Sequence, residues 1–176
     1  MQPTLLDSDK TLYARNALAL ARSQRVSGDA PSAAESTRQL REWAATSGDD
    51  VAKLYGTLAD AEQAWAEHRR DAALQAFAAA MQEADRIAIP EQRVAVAAPY
   101  IAALIEVGHV AEAQAISGRI ASWADRDLRA AWTKVLLFRA LDRPDAERSA
   151  LAVARKLAGD GVLPGAEDAV QPSGGS

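Results

Sequence analysis

Few residues in this chain could carry chemistry, and their spacing argues against most of it. His68 and His109 are the only imidazoles, 41 residues apart, each in a short polar turn. A metal site needs three or four convergent ligands, and Glu67-His68 alone is no such set. There is no cysteine, which removes thiolate sites, a Cys nucleophile and disulfides. SGDAPS (27–32) and AGDGVLPG (158–165) read as turns, without the strand–glycine–helix order of a phosphate cradle. No Gly-x-Ser-x-Gly elbow occurs. The many Asp/Glu pairs are what an acidic helical surface supplies. The reading is therefore no enzyme, no cofactor and no metal, with both histidines solvated in turns.

Recognition is the chemistry left. Arg15, Arg22 and Arg25 lie near the start, and Tyr55, Glu62 and Trp65 follow in a second block. Guanidinium groups pair bidentately with carboxylates. Arginines beside aromatics therefore suit an acidic or C-terminal carboxylate ligand. The bland alternative is a solvated helix face with Trp65 in the core. Trp65, in EQAWAEH, has polar neighbours and is the best single candidate for partner contact. Trp132 lies in an apolar stripe and reads as core.

The elements that position these residues are helices. Hydrophobic residues make up 49% of the 176, and alanine dominates them. Alanine favours helix, while β-branched and aromatic residues suited to strands are scarce. Punctuation predicts eight helices, at about 8–25, 31–45, 50–67, 71–87, 91–107, 110–122, 126–141 and 145–158. Ser8 or Asp7 is expected to cap the first, Pro31 to open the second, and Asp49 or Asp50 to cap the third. Pro99 predicts a bend in the fifth helix or a start near it.

These helices repeat. Ala33, Ala73 and Ala113 are spaced by 40 residues, and Glu147 follows 34 later with Ala146 beside it. The preceding turns align as Gly28-Asp29, His68-Arg69, Gly108-His109 and Asp142-Arg143. REWA (41–44) and ASWA (121–124) place Trp43 and Trp123 in register, which argues for a structural role. The pattern resembles the tetratricopeptide repeat, a helical hairpin with a small residue early in its second helix and a large apolar one four later. Ala73 and Phe77 match both positions. Glu147/Leu151 match the second only, and Ala33/Thr37 and Ala113/Ser117 the first only. The first-helix signature is largely missing, so the repeat is degenerate.

The segments ALIEVGHVAEAQAISGRIASWADRD (103–127) and ARKLAGD (154–160) also resemble the C-terminal repeat region of bacterial regulatory proteins, winged-helix regulators or serine/threonine kinases. The resemblance implies an all-α right-handed superhelix of about four degenerate hairpins over 8–159; the Gly/Ser/Pro content of the remaining residues, 160–176, reads as a flexible tail. Stacked hairpins leave a concave groove that holds a partner peptide or helix. By the repeat alignment, the groove is lined by Arg15, Arg22 and Arg25, by Tyr55, Glu62 and Trp65, and by Ala102 and Ile105.

The totals narrow the partner. Twenty basic against 24 acidic residues give a net charge of −4, the reverse of a phosphate-binding balance. Arg69-Arg70 and Arg126/Arg129 are each offset by nearby acids, and no repeated polar code for bases is present. The longest apolar run, 94–108, is too short to span a bilayer and includes Glu106. The N-terminus lacks an apolar core of signal-peptide length. The expectation is a protein-interaction domain, the sensing or docking part of a bacterial signalling or transcription-regulatory protein. It would be cytoplasmic, or else the periplasmic part of a membrane-anchored regulator. Its partner would be a protein or peptide segment, an acidic one suiting the arginines, with no nucleic acid and no membrane insertion. Homo-oligomerisation and a small-ligand sensor with a pocket between hairpins stand as alternatives.

Overall fold

In the computed structural model, residues 5–161 and 163 are described, and their regular structure is all helical. The described helices are α1 (Leu5–Val26), α2 (Ala30–Thr46), α3 (Asp50–Ala66), α4 (Arg70–Ile87), α5 (Pro90–Glu106), α6 (Val110–Arg119), α7 (Leu128–Ala140) and α8 (Pro144–Ala158). A 3₁₀ turn, Ala121–Trp123, follows α6. The chain forms two compact units, Met1–Ala103 and Leu104–Ser176. In the first, α1 packs on α2 and α3, α2 on α3, and α3 on α4; in the second, α6 packs on α7 and α7 on α8. Most of the expected tail lies outside the described residues.

The four aligned turns share one backbone device. Gly28, His68, Gly108 and Asp142 all have positive φ, at 80°, 59°, 83° and 52°. In each, the next residue's N–H donates to the carbonyl five residues back: Asp29 to Gln24, Arg69 to Ala64, His109 to Leu104 and Arg143 to Phe138. The left-handed residue itself donates to the carbonyl three back, as in Gly28 to Arg25 and His68 to Trp65. This is the Schellman closure, which satisfies the orphan carbonyls of a helix end. The 40-residue spacing comes from α2 to α5, each 17 or 18 residues long, with the same closure before each pair.

Aspartates cap α2, α3 and α7, whereas the N-cap residues of α4, α6 and α8, Arg69, His109 and Arg143, make no side-chain cap hydrogen bond. Asp29 accepts from Ser32 N (3.2 Å), Asp49 from Ala52 N (2.7 Å) and Asp127 from Arg129 N (2.8 Å). Pro31 sits in the first turn of α2 as expected. α1 already runs from Leu5, so Asp7 and Ser8 lie within it rather than capping it. α5 continues through Pro99 instead of starting there.

Small residues set the helix crossings. Ala33, Ala73 and Ala113 are all fully buried, and the residues four later, Thr37, Phe77 and Ser117, are buried too. Gly56 of α3 lies against α2, where an added Cβ would sit 3.1 Å from Ala44 Cβ. In the last hairpin Glu147 takes the alanine's place and pairs with Arg139 of α7 at 2.8 Å. One expected helix is shorter than its pattern. α6 has 10 residues against 17 in α2 and 18 in α4. Ser117-Gly118 are weak helix formers at the point where it ends. Trp123 therefore sits in the 3₁₀ turn with the Arg126 guanidinium 4.2 Å above its ring, while Trp43 remains in α2 against Tyr13, with ring centroids 4.5 Å apart.

Candidate functional site

The first unit gathers three of the expected groove residues. α1 and α3 lie side by side, and equivalent positions of the two helices are 40 residues apart. Arg22 thus meets Glu62. Its Nε donates to both carboxylate oxygens, at 3.1 and 2.9 Å, and its Nη2 donates to Oε1. One helical turn on, Arg25 Nη2 donates to Glu62 Oε2 at 2.8 Å, and its Nη1 to Gln63 Oε1 at 3.1 Å. Gln63 Nε2 donates to Glu67 Oε1 at 2.9 Å, and Arg69 donates to Glu67 Oε2 from Nε (2.9 Å) and Nη2 (2.6 Å). A continuous polar chain therefore runs from α1 along the last turn of α3 into the turn before α4.

Charge in this chain is unbalanced: three guanidiniums share two carboxylates. Glu62 is mostly buried, with 11% of its side chain exposed, while Arg22 is 45% exposed and Arg25 15%. Burial opposes the charge on Arg22, but the hydrogen bonds and charge of Glu62 outweigh it and raise its pKa. Burial and the like charge of Arg22 lower that of Arg25, against the pull of Glu62. Glu67 is held below the usual carboxylate range by its hydrogen bonds to Gln63 and Arg69.

Gln63, Glu67 and Arg69 also border a polar notch of about 370 Å³ between α2, α3 and α4. Burial pushes Asp60, on its wall, to a higher pKa despite Arg41 and Arg69 nearby. Its closest charge is Arg41, at a loose 3.8 Å. Thr37 lines the same notch, and its buried hydroxyl has no hydrogen-bond partner among the described residues.

The remaining expected site residues are placed differently. Arg15 pairs with Glu91 at 3.1 Å. Tyr55 is 5% exposed and packs in the core, so it offers a partner almost no surface. Trp65 is half-buried beneath the Arg70 guanidinium, 3.8 Å from its ring centroid. Ala102 and Ile105 are half-buried, Ala102 in the first unit and Ile105 in the second. His68 is an exposed turn residue, and no cluster of three or more His, Cys, Asp or Glu able to hold a metal occurs among the described residues. Arg129 pairs with Asp127 at 2.7 Å and Arg126 lies 4.0 Å from Asp125, so those basic spots are offset by acids. No described helix is long and apolar enough to cross a membrane.

Sequence reasoning missed Gln63, Glu67, Thr37 and Asp60. The first two were legible in principle, one and five residues beyond Glu62 on the same helix end. No known protein family, curated protein or solved structure matches the chain.

Proposed function

We propose that the chain is a non-catalytic protein-interaction module whose hairpins stack as a tetratricopeptide-like superhelix. In this reading it is the sensing or docking part of a bacterial signalling or transcription-regulatory protein and works in the cytoplasm. The ligand is an acidic peptide segment. One observation carries this: Arg22 and Arg25 share the single carboxylate of Glu62. Glu62 occupies the place a ligand carboxylate takes, and the exposed edge of Arg22 keeps donor capacity for a second one. The half-buried Trp65, on the turn after Glu62, supplies the apolar contact such a segment needs.

The test is an immobilised panel of acidic, neutral and basic peptides probed with the purified chain. Wild type retains acidic peptides, and retention falls as salt rises. Arg22→Ala weakens retention, whereas Glu62→Gln strengthens it by releasing the guanidinium pair. Equal retention of basic peptides, or Glu62→Gln without gain while the helical signal is intact, refutes the assignment.

Self-association is the second reading, and exposed apolar side chains on α1 favour it. Leu12, Tyr13 and Leu20 are 56%, 49% and 53% exposed, and a second copy could cover them. A sedimentation mass that stays at the monomer value of 18.7 kDa over the micromolar range excludes it.

A further inference from the structure

The second unit contains a cavity that the arginine cluster does not use. α6 stops at Arg119, and the chain continues through the 3₁₀ turn to Asp127 before α7 begins. Where α2 and α4 run on for nearly two further turns, this segment leaves space. A cavity of about 380 Å³ opens there, lined by Ala124 and Asp125 on one side and by residues of α7 and α8 on the others. That volume falls in the range of small-molecule pockets, roughly 300–1,000 Å³.

The lining is apolar with one available cation. Ala131 and Phe138 of α7 face Ala146, Ala150 and Val153 of α8 across it. Ala131 and Ala150 belong to the buried cluster on which Trp132 packs, so the walls are backed by core. Three polar side chains reach the lining. The Ser149 hydroxyl is already committed to Asp145 O at 3.0 Å. The Asp125 side chain is 84% exposed beside Arg126, so its charge stays in water. Lys134 is half-buried in α7, and no carboxylate lies within ion-pair distance of it among the described residues. A lysine lays its methylene stem along apolar walls and presents its ammonium at the rim.

We propose that this cavity binds a small apolar monocarboxylate, with the hydrocarbon against Phe138, Ala150 and Val153 and the carboxylate on the Lys134 ammonium. The chemistry selects an anion because Lys134 is the charge on this lining that has no ion-pair partner among the described residues. It selects an apolar body because the walls are mostly Ala, Phe and Val side chains and the Ser149 hydroxyl already donates to Asp145 O.

The test is calorimetric titration of the whole chain with octanoate, octanol and octylamine. Octanoate binds saturably, once per chain. Octanol binds on the order of tenfold more weakly for want of the charged contact, and octylamine more weakly still. From butanoate to octanoate, affinity rises about fourfold per methylene until the cavity is filled. Lys134→Gln brings octanoate down to the level of octanol and leaves octanol unchanged. Ala146→Phe fills the space and abolishes both. Octanol or octylamine binding as tightly as octanoate overturns the proposal, as does the absence of saturable binding to the wild-type chain. The three-ligand comparison needs no variant, so a misfolded substitution leaves the result readable.

Discussion

Replacing His68 by glycine tests the turn that spaces the hairpins. His68 holds φ at +59° where two of its three equivalents are glycine. For an L-residue this left-handed conformation costs about 1–2 kcal/mol. Glycine returns roughly 0.5–1 kcal/mol of that through the larger entropy of its unfolded state. The net expectation for His68→Gly is a gain of about 0.5–1 kcal/mol. Aspartate tolerates the left-handed region better than histidine, so Asp142→Gly should gain about half as much. The reverse substitutions, Gly28→Ala and Gly108→Ala, should lose about 1 kcal/mol. A Cβ at either glycine meets nothing within 4 Å, so their cost is conformational and not steric. Urea unfolding followed by circular dichroism reads these values. With m about 2 kcal/mol/M, a gain of this size moves the midpoint by roughly 0.3–0.5 M. His68 and Asp142 lie in different units. If the units melt separately, each substitution moves only its own transition. A loss of stability in His68→Gly, or no loss in Gly28→Ala at unchanged m, refutes the shared-closure reasoning.

Three further predictions follow from single contacts. Gly56→Val should cost about 1–3 kcal/mol, because its Cβ already meets Ala44 Cβ at 3.1 Å and two more methyl groups force α2 and α3 apart; thermal unfolding reads it. Asp127 has a lowered pKa: burial opposes this, but the ion pair with Arg129 and the backbone N–H groups it caps outweigh burial. Its contribution is therefore present above the unfolded-state value and is lost as pH falls through the lower folded value, so Asp127→Ala should lose about 1 kcal/mol at pH 7 and much less in acid. Asp60 has the opposite sign, since burial raises its pKa. Its contribution is present in acid and is lost as pH rises through the folded value, so Asp60→Asn should stabilise the chain at pH 7 and the gain should vanish at low pH.

The hairpin order was legible because it rests on local chemistry. Turn residues, capping aspartates and buried alanines each act within a few positions, and all eight helices follow their pattern to within three residues. The start of α1 and the end of α6 depart most, by three residues each; at α6 the weak helix formers Ser117-Gly118 were the signal, and apolar periodicity carries no information on them. Asp7 and Ser8 misled for a related reason: good capping residues are also tolerated inside a helix, and the start of α1 was decided upstream of them.

The site was half legible. The alignment put Arg22, Arg25 and Glu62 on one face but treated them as separate lining residues awaiting a ligand. The same 40-residue register implies more. Equivalent positions of adjacent first helices are neighbours, so an arginine and a glutamate in register find each other before any partner arrives. The remainder on which the proposed sites rest is small: one guanidinium in excess among Arg22, Arg25 and Arg69 over Glu62 and Glu67 in the first unit, and in the second Lys134, which has no ion-pair partner among the described residues. Neither stands out as a residue type, because the chain has 20 cations. They stand out only after the internal pairs are subtracted, and that subtraction needs the fold.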